Sequence, residues 1–327
     1  MDSISIIRTP IESELEAFKE LYDSSLSSSN TLLDSVVAHI RQRSGKMMRP
    51  ILVLLVARLY GVVSPATLHA AVSLELLHNA SLVHDDVVDE STERRGQLSV
   101  NAIFNNKVAV LTGDYLLATS LVHAELTNSH QIIRLVSSLG QDLADGELLQ
   151  LSNVSNHSFS ETVYFDVIRK KTAALFAACT AAAAYSVGVS EEEVKLARLL
   201  GEYIGICFQI KDDIFDYFDY FDSKEIGKPT GNDMLEGKLT LPVLYALNRA
   251  NDNQATEIAL KVKEGTATLD EIARLIAFTK ENGGIEYAVR TMNAYKQKAF
   301  GLLASLPDSA ICVALRSYLD YVVDREK

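Results

Sequence analysis

Residues that break helices are scarce: the 327-residue chain has only 16 glycines and 6 prolines. No run alternates apolar and polar residues for long, which argues against a fold built on sheets. Cysteine is scarce as well. Cys179, Cys207 and Cys312 are odd in number and far apart, which fits neither a disulfide framework nor a zinc site. They read as buried, reduced thiols. Long apolar runs are missing too, since stretches 51–57 and 173–184 fall short of the ~20 residues that span a bilayer. The start carries Glu12, Glu14 and Glu16 in place of a basic segment and an apolar core. No secretory signal is expected there, and a cytoplasmic location is the default. Finally, there is no excess of positive charge. A net charge of −12 argues against nucleic acid or an anionic membrane as the main partner.

What is present is helical periodicity. Hydrophobic residues form 48% of the chain and charged residues 23%, as in a globular protein with a large core. The pattern predicts helices over 11–27, 30–43, 48–60, 66–91, 99–104, 107–127, 130–151, 160–186, 191–219, 239–250, 255–263, 269–281, 284–304 and 309–324. Pro65 after Ser64 marks one start, and Ser190 with Glu193 has capping-box spacing. With no low-complexity linker, residues 1–327 are expected to form a single all-α domain, a bundle of buried helices.

Two acidic clusters stand out within that apolar background. One reads His84-Asp85-Asp86-Val87-Val88-Asp89, the other Gln209-Ile210-Lys211-Asp212-Asp213-Ile214-Phe215-Asp216. Asp85 and Asp89 share a helix face, as do Asp212 and Asp216, because residues four apart are neighbours. Either cluster alone reads equally well as a solvated helix end. Two matching clusters with such apolar flanks need cations to offset their burial. Mg²⁺ is the hard ion that takes one or two carboxylates and fills its shell with phosphate oxygens and water. A dinuclear carboxylate bundle would need Glu-x-x-His motifs, which neither cluster supplies. Lys46 and Arg49 flank a turn after Gly45 and can face one anion. His78 lies two helical turns before Asp85. No Ser–His–Asp or Cys–His set suggests covalent catalysis.

The paired Asp-Asp-x-x-Asp motifs, with Gly45-Lys46-Met47-Met48-Arg49-Pro50 and Arg94-Arg95-Gly96, resemble the trans-polyprenyl diphosphate synthases, nearest the long-chain octaprenyl-type members. The likeness runs from about residue 30 to the end of the sequence. It implies an isoprenoid synthase-type bundle of about ten core helices around a central hydrophobic cavity, acting as a homodimer. It implies three Mg²⁺ ions on Asp85, Asp89 and Asp212, with Asp86, Asp213 and Asp216 in supporting roles. Lys46, Arg49, His78 and Arg95 would hold isopentenyl diphosphate. Arg94, Lys171 and Lys228 would hold the diphosphate of an allylic substrate such as farnesyl diphosphate. Lys238 is balanced between that role and fastening a loop. Thr172 and Gln209 would turn dipoles toward the reacting carbons, with Gln209 on the face of Asp212. The implied reaction is ionisation of the allylic substrate, attack by the alkene of isopentenyl diphosphate, and loss of a proton to the released diphosphate.

Two rivals to this assignment are a class I terpene cyclase and a silent subunit of a heteromeric synthase. Cyclases replace the second motif and lack the residues matched by Lys46, Arg49 and His78, while silent subunits lose aspartates that are all kept here. Product length turns on Ala80 and Ser81, about 6 to 7.5 Å along the helix before Asp85. Both are small, which favours a long-chain product over geranylgeranyl diphosphate. Val136 or Leu139 is expected in the floor of the hydrocarbon tunnel.

Overall fold

The structure, a computed structural model, describes residues 3–42, 46–94, 96–154, 158–218, 231–306 and 309–325. The chain opens with α1 (Ser3–Arg8), a 3₁₀ turn (Thr9–Ile11) and α2 (Glu12–Ser25). It continues through α3 (Thr31–Gln42) and α4 (Met48–Tyr60) into the long α5 (Pro65–Val88). A small antiparallel hairpin, β1 (Glu93–Arg94) and β2 (Gln97–Leu98), separates α5 from α6 (Val100–Phe104) and α7 (Asn106–Leu126). Next come α8 (His130–Val154), α9 (Glu161–Ile168), a π-helical turn (Arg169–Ala173), α10 (Ala174–Ser186) and α11 (Glu191–Phe215). The rest is α12 (Asn232–Leu235), α13 (Leu241–Ala250), α14 (Asn253–Lys263), α15 (Leu269–Glu281), α16 (Gly284–Ala304) and α17 (Ala310–Asp324).

The all-α expectation holds, and its caps are those the sequence marks. Ser64 and Thr67 form a capping box with Pro65 in the first turn of α5, and Ser190 with Glu193 does the same for α11. One hydrophobic cluster runs from Ile7 to Val323. Its broadest helix contacts are α5 on α7 and α10 on α11. The second is close because glycine faces alanine. A Cβ on Gly205 would sit 2.5 Å from the Ala173 Cα, and one on Gly201 would run into the Phe176 carbonyl. Among the described residues no helix is long and apolar enough to cross a membrane.

The structure differs from the periodicity in several places, the short α12 among them. A helix forms over Ser3–Arg8, ahead of the first one expected. The segment 160–186 is interrupted by a π turn, whose single extra residue leaves an average period of 3.6 almost unchanged. Helix α11 ends at Phe215, where Asp216 turns its carboxylate to the backbone N–H groups of Asn232 and Asp233. The hairpin was unforeseen because two-residue strands have no alternation to detect; Gly96, at φ 73°, makes its turn.

At the α5–α7 contact, the Nδ1 atoms of His69 and His123 lie 3.0 Å apart, so the rings share one proton. Burial pushes both imidazoles below the ordinary histidine value, with His69 adding to the effect at His123. Stability from the pair is present above the unfolded pKa and is lost as pH falls toward the folded one. Between about pH 7.5 and 5.5 the melting temperature of metal-free wild type should therefore fall relative to that of His123→Asn, since the buried acids of the site affect both proteins alike. An equal fall in both proteins would remove the claim.

Candidate active site

The last turns of α5 present the first aspartate cluster. Burial pushes the Asp85 carboxyl up to about 6; Lys171 and Arg94 oppose the shift, while Glu147 and Asp89 add to it. Asp86 is buried and accepts the Nε–H of Arg94 at 2.5 Å, which ties β1 to α5. The Asn101 amide donates to the Asp86 carbonyl at 3.2 Å and holds the other side of the hairpin. The His84 ring occupies the space that a side chain at Gly113 would take, and its Nε2 lies 3.2 Å from the Val110 carbonyl. The cluster is thus fixed to α7 as well.

The π turn supplies the facing groups. Lys170 pairs with Asp145 and Lys171 with Glu147, both acids on α8. Gly146 makes this approach possible, since a Cβ there would come within 2.9 Å of the Lys171 nitrogen. Thr172 donates to Gln209 Oε1 at 2.6 Å. The widened turn therefore sends consecutive side chains to different helices, α8 and α11.

On α11, Gln209 Nε2 donates to Asp213 Oδ1 at 2.8 Å, and Tyr164 donates its hydroxyl proton to Asp213 Oδ2 at 2.5 Å. Gln209 thus bonds to the aspartate four residues on, close to one 3.6-residue turn away. Burial raises the Asp213 pKa, and the two hydrogen bonds partly counter it. Asp233 is raised by burial and by the nearby Asp216 and Asp213. Asp212 is more open and takes an ion pair from Arg325 at 2.6 Å.

Lys238 links the two clusters. Burial works to lower its pKa, but Glu236, at 2.6 Å, with Asp89 and Asp233 holds it above the usual lysine value. A cavity of about 160 Å³ opens beside the second cluster, lined in part by Lys171, Thr172, Gln209, Asp213, Asp233 and Lys238.

Lys46 and Arg49 lie at the start of α4. Met47 between them takes the left-handed conformation, φ 52°, which is strained for a side chain of this kind. Lys46 Nζ donates to the Tyr321 hydroxyl at 2.5 Å, and Arg49 stacks 5.3 Å from the Phe176 ring centre. Arg49 Nε is buried with no hydrogen-bond partner among the described residues. His78 is buried on α5, and its carbonyl accepts the Ser81 hydroxyl at 2.9 Å. Ala80 is buried next to it, and Val136 and Leu139 are buried on α8, which packs on α5. Arg95 and Lys228 lie outside the described residues.

The oxygen-only set of Asp85, Asp89 and Asp212 fits a hard divalent cation. The burial that disfavours charge on Asp85 would be offset by such an ion. Among the described residues no three carboxylate, imidazole or thiol groups enclose a point in space. A cation here would complete its shell with water and ligand oxygens.

Five further groups belong to this site and escaped the sequence: Glu147, Tyr164, Asp233, Tyr321 and Arg325. Tyr164 had a weak signal, since a tyrosine inside an apolar stretch needs a partner for its hydroxyl. The others meet the motifs only through tertiary packing.

Residues 30–279 match the sequence profile of the Polyprenyl synthetase family. The octaprenyl diphosphate synthase of Haemophilus influenzae is 34% identical over 323 residues, 99% of this chain and 97% of that protein. A solved structure described as geranylgeranyl pyrophosphate synthase from Bacteroides thetaiotaomicron is 75% identical. It has a TM-score of 0.88 and covers 99% of this chain and 100% of its own. The polyprenyl synthase of Caulobacter crescentus, solved with calcium and isoprenyl diphosphate, superposes with a TM-score of 0.92 at 30% identity. That likeness covers 99% of this chain and 98% of the Caulobacter chain. With its two aspartate clusters, the second beside a cavity that Lys171 and Lys238 also line, and these full-length relatives, the chain belongs to the polyprenyl synthetase family and is a prenyltransferase.

Proposed function

We propose that this chain acts in the cytoplasm, as one domain, and condenses isopentenyl diphosphate with an allylic diphosphate such as farnesyl diphosphate, using Mg²⁺ on Asp85, Asp89 and Asp212. The observation that carries this is the position of Lys238, whose charge is felt by Asp89 of the first cluster and by Asp233 beside the second. Lys171, whose charge acts on Asp85, lines the same cavity as Lys238 and Asp213, which supports a diphosphate seated there. A bound Mg²⁺ supplies Lewis-acid stabilisation of the departing diphosphate. Lys171, Arg94 and Lys238 gather the rest of its charge, and Lys228 joins them. Thr172 and Gln209, hydrogen-bonded to each other, present neutral dipoles to the carbocation, which neither attacks readily. Lys46, Arg49, His78 and Arg95 take isopentenyl diphosphate, and Arg49 keeps an unused donor for that anion. The proton lost at the end leaves with the released diphosphate, so no side-chain base is required.

For product length, the small Ala80 and Ser81 support elongation beyond geranylgeranyl to an octaprenyl-type chain. A geranylgeranyl product is the second reading, favoured by the description of the 75% identical Bacteroides structure. We also infer a homodimer. Helix α7 packs on α5 with one side and leaves Val110, Leu111, Leu121, Val122 and Leu126 exposed on the other, with Ile103 of α6 beside them. A second copy would cover that apolar strip.

Excess chelator should abolish product formation, and Asp85→Ala or Asp212→Ala should lower kcat by orders of magnitude, each ~1.36 kcal/mol lost being tenfold. In steady-state kinetics Lys46→Ala should raise KM for isopentenyl diphosphate, and Lys171→Ala should act on the allylic substrate. Full activity in chelator would sink the metal assignment, and equal effects of both lysines on one substrate would sink the division of sites.

Chromatography of the products of one labelled reaction separates the two lengths. Ser81→Phe should shorten the main product with the melting temperature unchanged; an unchanged length in a folded variant rules out Ser81 as a tunnel residue.

Sedimentation at low micromolar concentration should show a species of twice the 35.9 kDa chain mass, and Leu111→Arg should halve it without loss of helicity. A wild-type chain that sediments only as the monomer overturns the dimer.

A further inference from the structure

The end of α17 reaches the second aspartate cluster in a way that the proposed reaction does not use. Arg325 caps α17, its backbone N–H donating to the Tyr321 carbonyl at 3.0 Å. Its guanidinium turns inward. Nη2 donates to Asp212 Oδ1 at 2.6 Å and to the Phe208 carbonyl at 3.0 Å. The group stacks 3.9 Å from the Phe208 ring centre and 5.6 Å from that of Phe215. The Arg325 side chain is 11% exposed and that of Asp212 42%, so the cation is seated in the protein while the carboxylate stays open to solvent. Two aromatic faces, a carbonyl and a carboxylate make a fitted seat for one guanidinium. One turn earlier on α17, the hydroxyl of Tyr321 accepts a hydrogen bond from Lys46 Nζ, and Tyr318 donates to the Met48 carbonyl at 3.0 Å.

We infer that Arg325 is the built-in counter-ion of Asp212, occupying its carboxylate in the metal-free protein and leaving when a divalent cation binds there. This rests on the assignment of Asp212 as a metal ligand. A guanidinium and a divalent cation on one carboxylate repel each other at close range, so the stronger charge displaces the weaker. The last turn of α17 loosens as Arg325 leaves. Through Tyr321 the change reaches Lys46, so metal loading is felt where isopentenyl diphosphate is expected to bind. Divalent affinity at Asp212 is thereby held below what the carboxylate alone would give.

The test is Mn²⁺ binding to the full chain without substrates, followed by electron paramagnetic resonance of the free ion. Asp212→Asn should remove one class of sites. Arg325→Gln should make that same class bind roughly tenfold tighter, and Arg325→Lys should stay near wild type. Amide exchange of the wild-type chain should rise in the last turn of α17 when Mn²⁺ is added, an arm that needs no variant to fold. If Asp212→Asn leaves Mn²⁺ binding intact, the metal assignment falls, and this inference with it. If Asp212→Asn weakens binding but Arg325→Gln leaves the affinity as it was, only the counter-ion role is overturned. That role is equally overturned if Arg325→Gln weakens isopentenyl diphosphate binding alone, because Arg325 is then a substrate ligand.

Discussion

Carboxylates gathered inside an apolar bundle are the constraint around which the rest is arranged. Asp85, Asp213 and Asp233 each have their acid form favoured first of all by burial. In a medium of low dielectric, such groups persist only if every one has a donor or a cation. For four of the aspartates the bundle supplies such a partner locally. Arg94 takes Asp86, Tyr164 and Gln209 take Asp213, the start of α12 takes Asp216, and Arg325 takes Asp212. Each donor comes from a different element, so the polar centre fixes how β1, α9, α12 and α17 sit on α5 and α11.

Helix spacing follows from the same need. Thr172 can reach Gln209 only if α10 and α11 approach at backbone distance, and Gly205 opposite Ala173 permits that approach. Lys171 can reach Glu147 only because Gly146 leaves room for the π turn. A side chain at either glycine would drive apart the helices that carry the hydroxyl, the amide and the ammonium group. Such overpacking commonly costs about 1–3 kcal/mol, and here it would also disturb groups whose function depends on tenths of an ångström.

How much of this the sequence discloses depends on the range of the interaction. Ser190 and Glu193, three residues apart, announce the start of α11, and the four-residue spacing of Asp85 and Asp89 announces a shared face. These are local facts, and the all-α fold and the two acidic rims were legible from them. The π turn was not, since one extra residue between two apolar helical stretches leaves the periodicity almost unaltered. The bond from Gln209 to Asp213 joins residues four apart on α11, a contact the spacing allows but does not single out. Glu147, Tyr321 and Arg325 join the site across gaps in sequence that no spacing rule covers. Arg325 lies 113 residues from the carboxylate it holds.

The charge balance of the site ties these levels together. The protein carries a net charge of −12, yet its substrates are anions, so attraction cannot come from the whole-molecule field. It must arise at short range, from cations that the acids themselves keep in place. Lys171 on Glu147 and Lys238 on Glu236 are held by glutamates, and a substrate diphosphate can draw on those ammonium groups without a large rearrangement. Asp86 does the same for Arg94. An acidic protein thus becomes a receptor for diphosphates because its carboxylates position its cations. The proposed metal ligands are Asp85 and Asp89 at the end of α5 and Asp212 of α11, whose carboxylate Arg325 takes.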